Sequence, residues 1–206
     1  MTQHNGWSAQ TYRWFRLLFG VYLMVHFVQL IGWSAEIFSN AGALPNAAAS
    51  PLYGVFPSVL SLIDAPWFVA TLLVGAAGAS VLFALGHGDR VLGVALWYVW
   101  ACLSARNPLI ANPGLPYVGW LLLAHATIPH AGPLLARPDA ERDAAWRMPQ
   151  GIYWVAWVLL AVGYSYSGYT KVISPSWADG SALWHVLQLP LARASVLREV
   201  LVAQPT

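Results

Sequence analysis

The sequence is short of charge. Lys and Arg number 10 and Asp and Glu 8 among 206 residues, 9% of the chain, where ordinary soluble domains carry about 25%. That deficit excludes intrinsic disorder, a coiled coil and nucleic-acid binding through a basic surface. It also leaves too few charges to cover a soluble fold of this size. Cysteine is nearly absent. The single Cys102 excludes an internal disulfide and any cysteine-based zinc site, and within its apolar run it reads as a small core residue. There is no glycine-rich phosphate loop, no readable Ser-His-Asp arrangement and no acid inside the long apolar runs. Ion pumps and proton relays usually need such an acid.

What is present is apolar. Hydrophobic residues make up 58% of the chain and 12 residues are tryptophan. A membrane crossing takes about 20 apolar residues. The runs therefore predict an all-α, polytopic integral membrane helix bundle forming one domain over residues 1–206. Five spans are expected, at about 12–34, 66–86, 91–105, 115–136 and 149–171. Residues 35–65, with Pro45, Pro51 and Pro57, read as a long loop containing one short helix near 56–63. Pro66 suits a helix first turn with Asp64 near the cap. His87-Gly88-Asp89-Arg90 reads as a tight turn between antiparallel spans, and Pro108, Pro113 and Pro116 break the chain after Arg106. The segment 181–203, divided by Pro190, reads as two short amphipathic helices on the membrane surface.

Orientation follows from the distribution of Lys and Arg. With the N-terminus inside, Arg13, Arg16, Arg90, Arg137, Arg142 and Arg147 face the cytoplasm, and Arg106, Lys171, Arg193 and Arg198 lie outside. Trp33, Trp67, Trp120 and Trp177 then fall near the outer span ends, as an aromatic belt requires. The expectation is a bacterial inner-membrane protein with a cytoplasmic N-terminus and an external C-terminal segment, in contact with membrane lipid.

Lys171 closes the run YSYSGYTK, and Tyr164, Ser167, Gly168 and Lys171 share one helix face by their spacing. Two readings stand for this lysine: snorkelling to the interface, or partial desolvation toward the bundle, which lowers its pKa and suits it to act as a base. Gly168 admits close approach of a helix or ligand. Arg106 is either an interface anchor or a guanidinium that binds an anionic group or pairs with Glu36 or Asp179. His26 and His125, placed at similar depth by a 1.5 Å rise, form the only pair suited to haem iron; otherwise each hydrogen-bonds a neighbouring helix. No other metal site is expected. The aromatic residues of span five either line a site for a planar ligand such as a quinone or serve packing and the interface belt.

Several segments, in order, resemble the HTTM family, the membrane domain shared with vitamin K-dependent gamma-carboxylase. They are RWFRLLFGVYLMVH, NAGALP, LFALGHGDR, ARNPLIANPG and YSGYTKVISPSWADGSAL. Together they cover roughly residues 11–201. The resemblance implies a helical membrane domain with an outer-face site. In it Lys171 takes the position of a lysine implicated in deprotonating vitamin K hydroquinone, so it is the implied catalytic residue. Arg106, Asn107, Tyr164, Gly168 and Trp177 are the implied ligand-binding residues, and a quinone is the implied cofactor. Asn40 stands where the family often has an acid, and Pro113-Gly114-Leu115 where it often has Gly-Gly-Asp. The leading expectation is an outer-leaflet site for a quinone or other lipid-like ligand, with carboxylase-like chemistry if it catalyses at all. The alternatives are a haem-binding redox subunit and a non-catalytic partner or immunity-type membrane protein.

Overall fold

A computed structural model describes residues 5–110, 112, 114–134, 140–188 and 195–203. Pro113, Arg137, Pro190 and Arg193 lie outside the described residues. Every regular element among the described residues is helical. The chain divides into two compact units, Met1–Ala156 and Trp157–Thr206.

The first unit holds α1 (Ala9–Ile31), α2 (Ser34–Phe38), α3 (Pro66–Leu85), α4 (Asp89–Arg106), α5 (Gly114–Thr127), α6 (Ala140–Ala145) and the start of α7 (Gln150–Val172). α1 begins where the Ser8 hydroxyl accepts from the Thr11 N–H at 3.1 Å, an N-cap that satisfies an otherwise unpaired donor. α3 begins with Pro66 in the first turn, as expected, but its cap is Ala65 without a side-chain bond. Asp64 is used elsewhere. The short helix expected near 56–63 is a single 3-10 turn, Val59–Ser61.

α1 and α3 run antiparallel. Arg16 meets Gly86, and Gly20 lies so close to Ala84 that an added Cβ would come within 2.6 Å of the alanine Cβ. Small residues at this crossing let the two backbones approach, the usual device where lipid removes the hydrophobic drive for helix association. Gly86 and Gly88, with φ of 84° and 61°, make the tight turn from α3 into α4. That conformation costs glycine little. α4 and α5 are also antiparallel, since the Trp100 Nε1–H donates to the Leu115 carbonyl at 3.0 Å while Gly93 faces Leu122 and His125. Leu23, Phe27, Leu73, Leu96, Cys102 and Leu122 form the buried seam between these helices.

Both faces of α1 are apolar. Leu23 and Phe27 are buried, while Trp14, Leu18, Val21, Val25 and Val28 form an exposed stripe, with Leu18 68% exposed. α3 carries no charge and exposes Trp67, Val74, Val81 and Leu82. A helix apolar all round is a core helix or a membrane span. By length and composition α1 and α3 suffice to cross a membrane. The expected fourth span, 115–136, is shortened. α5 ends at Thr127 after 14 residues, because Ile128 precedes Pro129 and is pushed out of the helical region.

At the end where α1 starts, the near end, the non-helical segment 128–134 is tied to α1 by arginines. The Arg13 Nε–H donates to the Ala131 carbonyl at 2.6 Å, Nη1 to Gln10 at 3.2 Å and to Asp143 at 2.9 Å, and Nη2 also to Asp143. That pairing holds the Asp143 carboxyl below the usual carboxylate range. Arg16 is fully buried and its Nη2 donates to the Gly132 carbonyl at 2.8 Å. A side chain at Gly86 would collide with the Arg16 guanidinium, which sits at the α3 C-terminus, where the helix dipole favours a cation.

The second unit holds the rest of α7, then α8 (Pro175–Ala178), α9 (Ala182–Gln188) and α10 (Val196–Val202). α9 and α10 fall where two short helices are expected, and the Arg198 Nε–H donates to the Leu187 carbonyl at 2.6 Å between them.

Candidate functional site

At the opposite, far end of the first unit the loop 39–65 meets the end of α4. Arg106 is the last residue of α4, and Asn107 before Pro108 takes an extended conformation that stops the helix. Both are buried, at 3% and 4% exposure. Asn107 Nδ2 donates to the Ile37 carbonyl at 2.9 Å, and its Oδ1 accepts from the Leu109 N–H at 3.1 Å. Arg106 Nη2 donates to the Leu44 carbonyl at 2.7 Å and to Asp64 Oδ2 at 3.1 Å. The Asp64 carbonyl in turn accepts from the Asn40 N–H at 3.0 Å. A Cβ at Gly42 would run into the Ala35 and Glu36 carbonyls, so this position requires glycine. NAGALP and the Arg-Asn segment, separate in sequence, are thus hydrogen-bonded together.

The acid that pairs with Arg106 is Asp64, rather than Glu36 or Asp179. Asp64 beside Pro66 reads as a helix cap, which is why sequence reasoning missed it. Asp179 instead accepts from the Ser181 N–H at 2.9 Å and hydroxyl at 2.7 Å, and these bonds hold its carboxyl below the usual range.

Arg106 is only partly satisfied. Its Nε and Nη1 are buried and have no hydrogen-bond acceptor among the described residues. A guanidinium carries five N–H donors, three of them on these two nitrogens. A buried donor left without an acceptor costs about 1–3 kcal/mol, more when it is charged. This cation therefore has open capacity for a carbonyl, carboxylate or phosphate oxygen.

His26 and His125 have different surroundings. His125 lies in the last turn of α5, buried, with Nδ1 hydrogen-bonded to the Tyr12 hydroxyl and its ring 4.4 Å from Phe83. His26 is half-buried, 4.8 Å from the Trp100 ring. Tyr12 and His26 stand 14 residues apart on α1, about 21 Å along the axis. Two axial ligands must reach one iron, so the expected haem pair is overturned. The equal-depth estimate fails because His26 packs on Trp100, which bonds Leu115 at the start of α5, while His125 lies near the other end of that helix against Tyr12. Among the described residues no three His, Cys, Asp or Glu side chains group as metal ligands.

A cleft of about 130 Å³ opens beside His26, between α1, the C-terminal half of α4 and the start of α5. Its walls include Leu30, Phe38, Trp100, Leu103 and Ser104.

In the second unit α7 is helical through Val172, so Tyr164, Gly168 and Lys171 do share a face. All three are exposed, and Gly168 has open space where a side chain would stand. The Lys171 ammonium stands over the Trp177 ring, 4.9 Å from its centroid, a cation–π contact that joins two of the expected ligand residues. Lys171 and Trp177 thus come together within this unit, as Arg106 and Asn107 do within the first.

Compared with protein-family models, curated proteins and solved structures, the chain matches none.

Proposed function

We propose that this chain is an HTTM-like bacterial inner-membrane protein that binds a quinone or other lipid-like ligand through Arg106 and Asn107 at the far end of its helices. In this reading α1, α3, α4, α5 with the segment after it, and α7 are five crossings with the N-terminus cytoplasmic. The far end then faces the outer leaflet. Trp33 and Trp67, 59% and 68% exposed where α1 ends and α3 begins, suit the aromatic belt at that level. Arg13, Arg90, Arg142 and Arg147 belong to the near end, in keeping with positive charge inside.

One observation carries the reading. A buried arginine sits where two motif segments meet, with Nε and Nη1 lacking acceptors among the described residues. A quinone carbonyl or a lipid headgroup oxygen supplies what those donors need. Lys171 and Trp177 serve the same ligand class, Trp177 by ring stacking and Lys171 as the base toward a quinol hydroxyl.

Native mass spectrometry of the full chain in mild detergent tests this. A retained quinone or distinct lipid mass is expected, reduced at least tenfold by Arg106→Lys, which keeps the charge but not the fork of donors. Lys171→Met should reduce it less and leave the fold intact. No retained mass under conditions that keep bulk lipid bound, or retention indifferent to both changes, overturns the reading and favours a non-catalytic partner role.

A further inference from the structure

The cleft beside His26 is separate from the residues just assigned, and its chemistry is specific. From its size, its polarity and the unmet ring nitrogens of His26 we infer that it binds one neutral aromatic ring carrying a hydroxyl group, a simple phenol.

Size comes first. The cleft measures about 130 Å³, and a cavity of roughly 150 Å³ accepts one benzene ring. A single six-membered ring therefore fits within it. The walls then set the ligand's character. Leu30, Phe38 and Leu103 supply apolar surface, and no charged side chain lines the cleft. An ion would be left unpaired there, so the ligand is neutral. Trp100 gives a flat wall whose orientation is fixed by its bond to the Leu115 carbonyl at 3.0 Å. A planar ring is the natural occupant of such a surface.

The polar lining residues His26, Ser104 and Asn112 define the substituent. Asn112 Oδ1 accepts from the Gly114 N–H at 2.9 Å, which leaves its amide as a donor. His26 has no hydrogen-bond partner among the described residues, although it lies half-buried in the cleft wall. A neutral imidazole offers one donor and one acceptor nitrogen. Ser104 spends its hydroxyl proton on the Trp100 carbonyl at 3.0 Å, which leaves its oxygen lone pairs as acceptors. A ring hydroxyl can donate to the imidazole or to the Ser104 oxygen and accept from the imidazole N–H.

The test uses 4-fluorophenol and fluorobenzene, followed by ¹⁹F NMR with the full chain in mild detergent and with detergent alone as blank. The wild-type protein is expected to shift 4-fluorophenol saturably, displaced by unlabelled phenol, and to bind it more tightly than fluorobenzene. His26→Leu should weaken 4-fluorophenol about five- to tenfold, the worth of one hydrogen bond, and leave fluorobenzene unchanged. That ratio within one protein sample is insensitive to partial misfolding. Ser104→Phe fills the space and should abolish both. His26→Gln, which keeps a donor and an acceptor, should restore most of the preference if the leucine variant does not fold. Absence of a saturable shift in the wild type overturns the inference. So does an undiminished phenol preference after His26→Leu, or full binding after Ser104→Phe.

Discussion

Arg13 and Arg106 are buried to nearly the same degree, at 6% and 3% exposure, and lie at opposite ends of one helical unit. Each pairs with an aspartate and each bonds a backbone carbonyl. They differ in completeness. Arg13 uses Nε, Nη1 and Nη2, against Ala131, Gln10 and Asp143. Among the described residues Arg106 uses Nη2 alone, against Leu44 and Asp64. A buried cation with an acceptor on every nitrogen holds structure together, and one with two nitrogens unmatched is poised for an outside acceptor. The near end is thus a clamp, and the far end is a clamp with capacity left over.

The clamp should fail first. Arg13→Met strips Asp143 of its partner and leaves the Ala131 carbonyl and Gln10 unmet. Water also reaches Asp143, whose side chain is 26% exposed, so we expect a loss of about 1–2 kcal/mol, mainly from the unmet Ala131 carbonyl and Gln10 with no unmatched donor removed in exchange, read as a lower melting temperature in detergent. Ligand retention per folded molecule should not change. Equal stability of variant and wild type would reduce Arg13 to an ordinary anchor and dissolve the contrast between the two ends.

Much of this was legible from the chain, for reasons that differ by element. α3 was readable to within a residue at each end, because Pro66 opens it and Gly86 closes it. The turn at 86–90 was equally plain. α5 was not, since the apolar run continues past Thr127 and only Pro129 signals the break. The pairing of His125 with His26 failed for a separate reason, since His26 sits level with Trp100 and the first turn of α5, a level that only packing sets. Arg106 was readable as a candidate because a cation interrupts an apolar sequence. Its partner was hidden, since Asp64 is 42 residues away and local spacing gave it a capping role. The Arg13–Asp143 pair, 130 residues apart, and the cleft at His26 have no local signature. Both arise only when helices pack.

Acid sharpens the comparison at the near end. The Asp143 carboxyl is held below its usual range by its hydrogen bonds to Arg13. A group with a depressed native pKa contributes its stability above the unfolded value, about 3.9. It loses that contribution as pH falls through the native value. Melting temperature should therefore drop as pH is lowered from about 5 to 3. Asp143→Asn should lower the neutral-pH melting temperature and flatten the slope in that range. An identical slope in wild type and variant would show that the acid response comes from other carboxylates.

The smallest stability effect belongs to Arg106→Met. The change frees the Asp64 carboxylate and the Leu44 carbonyl, but it also removes three buried N–H groups that have no acceptor among the described residues. The side chain of Asp64 is 21% exposed, so water reaches the orphaned acid. Gains and losses nearly cancel, and a change of about 0.5 kcal/mol or less is expected, short of the Arg13→Met loss. Ligand retention should respond in the opposite order, falling sharply here and holding there. The two variants measured side by side, by melting and by native mass spectrometry, separate a cation kept for the fold from one kept for a ligand. If Arg106→Met destabilised the protein as much as Arg13→Met and left retention unchanged, both arginines would be structural.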